Sequence, residues 1–170
     1  MTVSVGLPDG WRLVELTAAQ THPLRLAVLR HDTPTKQVEF PEDDWPGVHH
    51  LGVEIDGEVV ATSSWVPRTF PDPEPDGWHD CIGVQLRGMA TAHQVQGRGV
   101  GAALLAAGCD RARSAGVELV WANARDRVMP FYTGAGFVVV GAGFVDEGTQ
   151  LPHHRIGRLL HGRTRGRHER

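Results

Sequence analysis

A glycine-rich turn, Gln96-Gly97-Arg98-Gly99-Val100-Gly101, runs straight into an amphipathic segment, and that pairing restricts the chain more than any other stretch. Glycines permit turn conformations closed to other residues and let a ligand approach the main chain without meeting a side chain. The first turn of a helix leaves its N–H groups without intrahelical partners. Joined in this order, the two features make an anion site at a helix start, suited to a pyrophosphate.

The flanks extend the unit. Val84 to Thr91 reads as a strand entering the turn through the short link Ala92-His93-Gln94-Val95. Beyond the turn, Gly101, Leu104, Leu105, Gly108, Cys109 and Ala112 fall on one helix face, and Gly116 supplies a left-handed C-terminal stop. Val117 to Asn123 alternates and is rich in branched and aromatic residues, as strands are. A dinucleotide fingerprint needs a different glycine spacing, since Gly97, Gly99 and Gly101 are followed by Ala102 and Ala103. A nucleoside-triphosphate loop needs a lysine at its end, and the chain's single lysine is Lys36.

The turn resembles the Gln/Arg-x-x-Gly-x-Gly/Ala motif of the GNAT superfamily of acetyl-CoA-dependent N-acetyltransferases. Asn123 to Tyr132, closing in Gly136-Phe137, is similar to that superfamily's second motif, a strand and short helix bearing Phe-Tyr. Gly134-Ala135 departs from it, because glycine costs about 1 kcal/mol against alanine inside a helix. The resemblance covers roughly residues 11–160. It implies an α+β fold, a mixed and mostly antiparallel central sheet with helices on both faces.

The remaining segments agree with that order. Trp11 to Leu16 alternates as a first strand; Thr17 offers a helix cap, and Pro23 suggests that the helix begins in earnest near that residue. Thr33 to Gly47 is an irregular connection. His49 to Ile55 and Val59 to Val66 form a hairpin across Asp56-Gly57. Pro67 to Gly77 is a proline-rich acidic loop, stiff or lid-like. Phe137 to Val140, Gly143 to Asp146 and His153 to Leu160 read as final strands.

At 170 residues, 41% apolar and 22% charged, the chain suits one globular domain over 1–160. No apolar run approaches the ~20 residues of a membrane span. Met1 to Trp11 lacks the basic and apolar regions of a secretory signal. Cys81 and Cys109 lack metal or redox spacing, which points to a reducing cytoplasm with Cys109 in the core. The pairs His49-His50 and His153-His154 lack the spacing of a metal site, so no metal is expected. Net charge is −3, yet the body through residue 154 carries 11 basic against 19 acidic side chains. The basic tail, residues 161–170, is expected to be solvated and disordered rather than to bind nucleic acid.

By resemblance, the turn Gln96, Gly97, Arg98, Gly99, Val100 and Gly101 binds the pyrophosphate of acetyl-CoA. Met89, Ala90 and Thr91 pair with its pantetheine arm, and Asn123 and Phe131 also contact the cofactor. Tyr132, the chain's single tyrosine, takes the position of the general acid that protonates the departing sulfur. For the base, His153, His154, Glu147 and Asp146 stand open; similarity to the ending of ElaA-like proteins selects His153 and Glu147, with Gly148 to Pro152 one residue longer than that pattern. Acetyl transfer to a primary amine of a small molecule or peptide, by direct attack in a ternary complex, is the implied activity. A silent acetyl-CoA-sensing module is the alternative, and O-acetyl or longer-chain acyl transfer a narrower one. The acidic segments Glu39 to Asp44 and Asp72 to Asp76 lean towards a cationic acceptor. Family habit allows a homodimer.

Overall fold

Asp56 and Gly57 both adopt positive φ, the two-residue turn that matches strand twist, and the strands on either side pair tightly. They are β2 (His49–Ile55) and β3 (Glu58–Pro67), within a seven-stranded sheet of order β1-β2-β3-β4-β5-β7-β6. The other strands are β1 (Trp11–Leu16), β4 (Gly83–Thr91), β5 (Leu119–Arg125), β6 (Val138–Val145) and β7 (Pro152–Leu159). Every neighbouring pair is antiparallel except β4 with β5. This computed structural model describes residues 7–160, so the basic tail lies outside the described residues.

Helices cover both faces, as the alternation along β3 makes plain. Ser64 accepts a hydrogen bond from Arg25 on one face, while Trp65 packs beneath Gly108 on the other. Arg25 opens the π-helical turn Arg25–Leu29 that continues α1 (Ala18–Leu24); Gly108 belongs to α2 (Val100–Ser114). The stripe Leu104, Leu105, Gly108 and Cys109 is buried as its spacing predicts, and a Cβ on Gly108 would lie 1.9 Å from the Trp65 ring. Leu104, Leu105, Trp65, Val120, Tyr132 and Phe137 share one core cluster, and Phe70, Trp78, Leu119 and Trp121 form a second.

Several boundaries differ from the sequence reading. The first helix starts at Ala18, because Thr17 and Gln20 cap it reciprocally. Pro23 lies inside it, lacks an N–H for the preceding turn, and is followed by the widened π-helical turn. β5 begins at Leu119 rather than Val117, since the Val117 and Gly116 amides close the end of α2 on Ala112 and Arg113. Val138–Val145 is one strand whose pairing with β7 is interrupted between Val140 and Phe144. Among the described residues no helix is long and apolar enough to cross a membrane.

Candidate active site

β4 and β5 pair over three positions, Gly83 with Leu119 to Gln85 with Trp121, and then separate. Beyond that point each keeps its outer partner, β3 or β7, while the facing edges lose theirs. A strand edge without a partner presents free N–H and C=O groups, ready to pair with an added strand-like ligand. A bulge lies in β4 at this point: Gly88 and Met89 stand opposite the single residue Ser63 of β3, with Gly88 at φ 61°. The resulting cavity has a volume of about 990 Å³ and is bordered by Gln85 to Thr91 on one side and Ala122 to Arg125 on the other.

At one end stands the glycine turn. Gly99 is the N-cap of α2, at φ 83° and with no side-chain cap, so the first-turn amides keep no side-chain acceptor. A Cβ on Gly97 or Gly99 would meet nothing within 4 Å, whereas one on Gly101 would press Thr91 and the Phe131 ring. Gln96, Gly97, Gly99, Val100 and Gly101 all border the cavity. Gln96 braces the turn by donating to the Thr91 carbonyl at 2.9 Å. The site therefore fits a pyrophosphate in shape and donor set. Arg98 is exposed, does not border the cavity, and lies 5.8 Å from the Trp11 ring centroid.

Met89, Ala90, Thr91, Asn123 and Phe131 all line the gap, and Asn123 is held by the Arg155 guanidinium at 3.0 Å. Tyr132, on α3 (Met129–Gly134), reaches the cavity with its ring clamped edge-on between Phe131 and Phe137. Burial pushes its phenol far above the ordinary value, so it stays protonated.

His153 enters from β7, buried and stacked on Phe144. Its Nδ1 lies 2.8 Å from the Leu151 carbonyl, an acceptor, which places the proton on Nδ1 and leaves Nε2 a lone pair. Asp146 borders the same wall. Burial would raise its pKa, but hydrogen bonds from Thr149, aided by His153 and Arg30, hold it below the ordinary value. Glu147 is exposed in the β6–β7 turn and away from the cavity, because Asp146 turns inward to cap the Thr149 amide at 2.9 Å. His154 faces Asp126 instead, Nδ1 to Oδ1 2.6 Å.

The wall opposite carries charge. Arg30, Arg68, Arg87 and Glu42 border the cavity around the Phe40 ring. Glu42 pairs with Arg87 and sits 3.9 Å from Arg68. Asp43 is buried against Arg25. The acidic run thus spends two of its carboxylates, Glu42 and Asp43, on arginines. The loop Pro67 to Gly77 contributes Arg68 alone to the cavity. Phe70 anchors it in the core against Trp78 and Trp121, so it is a stapled connection and not a lid. Among the described residues no group of His, Cys, Asp and Glu is placed to hold a metal; His50 instead bonds Ser64 at 2.6 Å.

The splayed parallel pair, the bulge and the bare helix start over residues 83–125 coincide with a match to the family model described as "Acetyltransferase (GNAT) family", which covers residues 15–137. The chain belongs to the GNAT acetyltransferase family. The uncharacterized N-acetyltransferase YitI of Bacillus subtilis is 29% identical over 129 residues, 76% of this chain and 83% of that protein. Escherichia coli ElaA superposes with a TM-score of 0.67 at 19% identity, covering 87% of this chain and 99% of that one. The yncA structure from Salmonella typhimurium, solved with its cofactor acetyl-CoA, gives 0.66 at 18%, covering 92% and 97%.

Sequence reasoning on this GNAT chain missed the arginine wall. A signal was present in β4, where Gln85 and Arg87 alternate with buried Leu86 in a central strand, since polar residues on one face of a covered strand mark a site. Arg30 caps the π-helical turn and Glu42 lies in the short 3-10 helix Pro41–Asp44, elements too short to carry such periodicity.

Proposed function

We propose that this protein is an acetyl-CoA-dependent N-acetyltransferase acting on a primary amine of a small molecule or peptide, by direct attack in a ternary complex. The observation that carries this reading is one continuous cavity that joins the bare amides of α2, the unpaired edges of β4 and β5, Tyr132 and His153. Acetyl-CoA supplies an acetyl thioester, the electrophile.

In this reading the amides from Gln96 to Gly101 hold the pyrophosphate, and the β4 edge from Met89 to Thr91 pairs with the pantetheine arm. An amide of that edge donates to the thioester carbonyl and stabilises negative charge as it builds on the oxygen. An alkyl ammonium, with a pKa near 10.4, must lose a proton before it can attack. Nε2 of His153 takes that proton, with Asp146 on the same wall of the cavity. The C–N bond forms, the C–S bond breaks, and the Tyr132 hydroxyl gives its proton to the departing sulfur, while the second proton that the nitrogen sheds as it becomes an amide passes through solvent to restore the Tyr132 hydroxyl. Burial disfavours a thiolate as it disfavours a phenolate, so a desolvated sulfur there is a stronger base than in water.

The cytoplasm is the proposed compartment, in keeping with two buried cysteines; burial raises the Cys109 thiol, which keeps it inert.

Calorimetric titration with acetyl-CoA, with NADH and ATP as controls, followed by thiol release with a panel of amines, tests the proposal. Selective binding with amine-dependent release is expected. Binding without release for any amine would favour the sensing module, and no binding would remove both readings.

A further inference from the structure

Arg30, Arg68 and Arg87 have no task in the reaction as derived. They converge on one end of the cavity. The guanidinium of Arg87 lies 4.3 Å, and that of Arg30 5.7 Å, from the Phe40 ring centroid; Arg68 donates to Gln85 at 2.6 Å. Arg87 precedes Thr91 by four residues on β4, a separation of roughly 10 Å or more along a strand, and the glycine turn lies farther still. These arginines therefore face the side of Met89 away from the phosphate turn. Arg125, the last residue of β5, lies opposite His153, donates to the Leu29 carbonyl beside Arg30, and shares Asp32 with Arg127.

The charge at the arginine end does not cancel. Five of the eleven basic residues up to position 154 border the cavity, against two of the nineteen acidic ones. Arg30, Arg68 and Arg87 supply three positive charges; Glu42 and Asp146 supply two negative, and the Arg25–Asp43 pair behind them is neutral. Among these five cavity groups one positive charge is left. A simple alkylammonium would add a second in a partly desolvated pocket, where like charges repel strongly. An acceptor whose carboxylate offsets its own ammonium would add none.

We propose that the acceptor is an amino acid or a similar amine bearing a carboxylate, held by Arg87 with Arg30 and Arg68 while its amine meets Asp146 and His153. This rests on the acetyltransferase reading above and names the substrate class for the same site. The Arg87 guanidinium is pushed down to about 10 by burial and by Arg25 and Arg30, so a bound anion would relieve an existing repulsion. The planar fork of arginine matches a carboxylate bidentately, which a neutral amide cannot reproduce.

Matched acceptors test this with the full chain and acetyl-CoA: phenylalanine against phenylalaninamide and phenethylamine, and γ-aminobutyrate against butylamine. The expected result is a kcat/KM at least about tenfold higher for the carboxylate member of a series, since hydrogen bonds to charged groups exceed neutral ones by this order. In Arg87→Gln the preference should fall towards unity, mainly through KM, with acetyl-CoA affinity kept. The wild-type series decides the matter even where that variant folds poorly. Equal rates across each series, or better rates without the carboxylate, would overturn the inference and leave the enzyme reading standing. Acetyl-CoA binding with no amine of any class acetylated would remove the enzyme reading and this one with it.

Discussion

The guanidinium of Arg25 and the carboxylate of Asp43 meet face to face in the interior, Nη1 to Oδ2 at 2.7 Å and Nη2 to Oδ1 at 2.9 Å. Arg25 also donates to the Val38 carbonyl and to Ser64, while Asp43 accepts from the Phe40 amide. The pair thereby ties the first helix, the 33–47 connection and β3 together, and it fixes Phe40, on whose ring Arg30 and Arg87 of the cavity pack.

Replacing Asp43 by Asn should cost about 3–5 kcal/mol, because it leaves a buried guanidinium without its counter-charge. Burial alone would raise the Asp43 carboxyl, but the Arg25 and Phe40 hydrogen bonds win and hold it below its ordinary value. A folded carboxyl more acidic than the unfolded one contributes stability above the unfolded pKa and loses it as pH falls through the folded value. Urea unfolding of the wild type should thus weaken below about pH 4, where unfolded aspartate begins to hold its proton, and the variant should show less of that decline. Equal pH slopes in the two proteins would refute the assignment.

The parts of the fold legible in the sequence were the local ones. The stripe from Leu104 to Cys109 and the left-handed stop at Gly116 depend on neighbours within two turns, and both lie where their spacing puts them. The parting of β4 from β5 is legible in neither strand alone, since it is set where pairing between Gln85 and Trp121 ends. The Arg25–Asp43 pair joins segments 18 residues apart and leaves no periodic trace. Glu147 and Asp146 differ by one position in a turn whose register depends on Gln150 at φ 59°, a conformation that composition does not announce.

Gly108 should tolerate no side chain. Its Cβ would come within 1.9 Å of Trp65 and 2.5 Å of two further ring atoms, so Gly108→Ala forces the indole or the helix to move. Overpacking of this kind costs about 1–3 kcal/mol, which the better helix propensity of alanine, about 1 kcal/mol, offsets in part. A lower urea midpoint with an unchanged slope is expected; a midpoint equal to or above wild type would show that Trp65 yields freely.

Gly99→Glu should abolish acetyl-CoA binding, with at least about a hundredfold loss of affinity, since it sets a carboxylate and a strained left-handed backbone at the anion site. The substituted Cβ would meet nothing within 4 Å, so the fold itself should survive. Calorimetry on the variant checks this, and unchanged affinity would remove the turn from the cofactor site.

Tyr132→Phe keeps the ring that packs between Phe131 and Phe137 and removes only the proton donor. Turnover should fall about a hundredfold or more, the range for general acids, with acetyl-CoA affinity within a factor of about two. Full activity in this variant would leave Tyr132 as packing alone.

His153→Gln should lower turnover at neutral pH and lose much less near pH 10. The need for a base arises because an alkyl amine with pKa near 10.4 is almost wholly protonated at pH 7, and the need disappears once solvent has removed that proton. Glutamine keeps a donor for the Leu151 carbonyl, so the β6–β7 turn should hold its shape while the imidazole base is lost. The ratio of wild-type to variant kcat/KM, followed from pH 7 to pH 10, should therefore narrow steadily towards one. A ratio constant across that range would mean that His153 positions the acceptor and that the proton leaves by another route, with Asp146 the group on the same wall to test next.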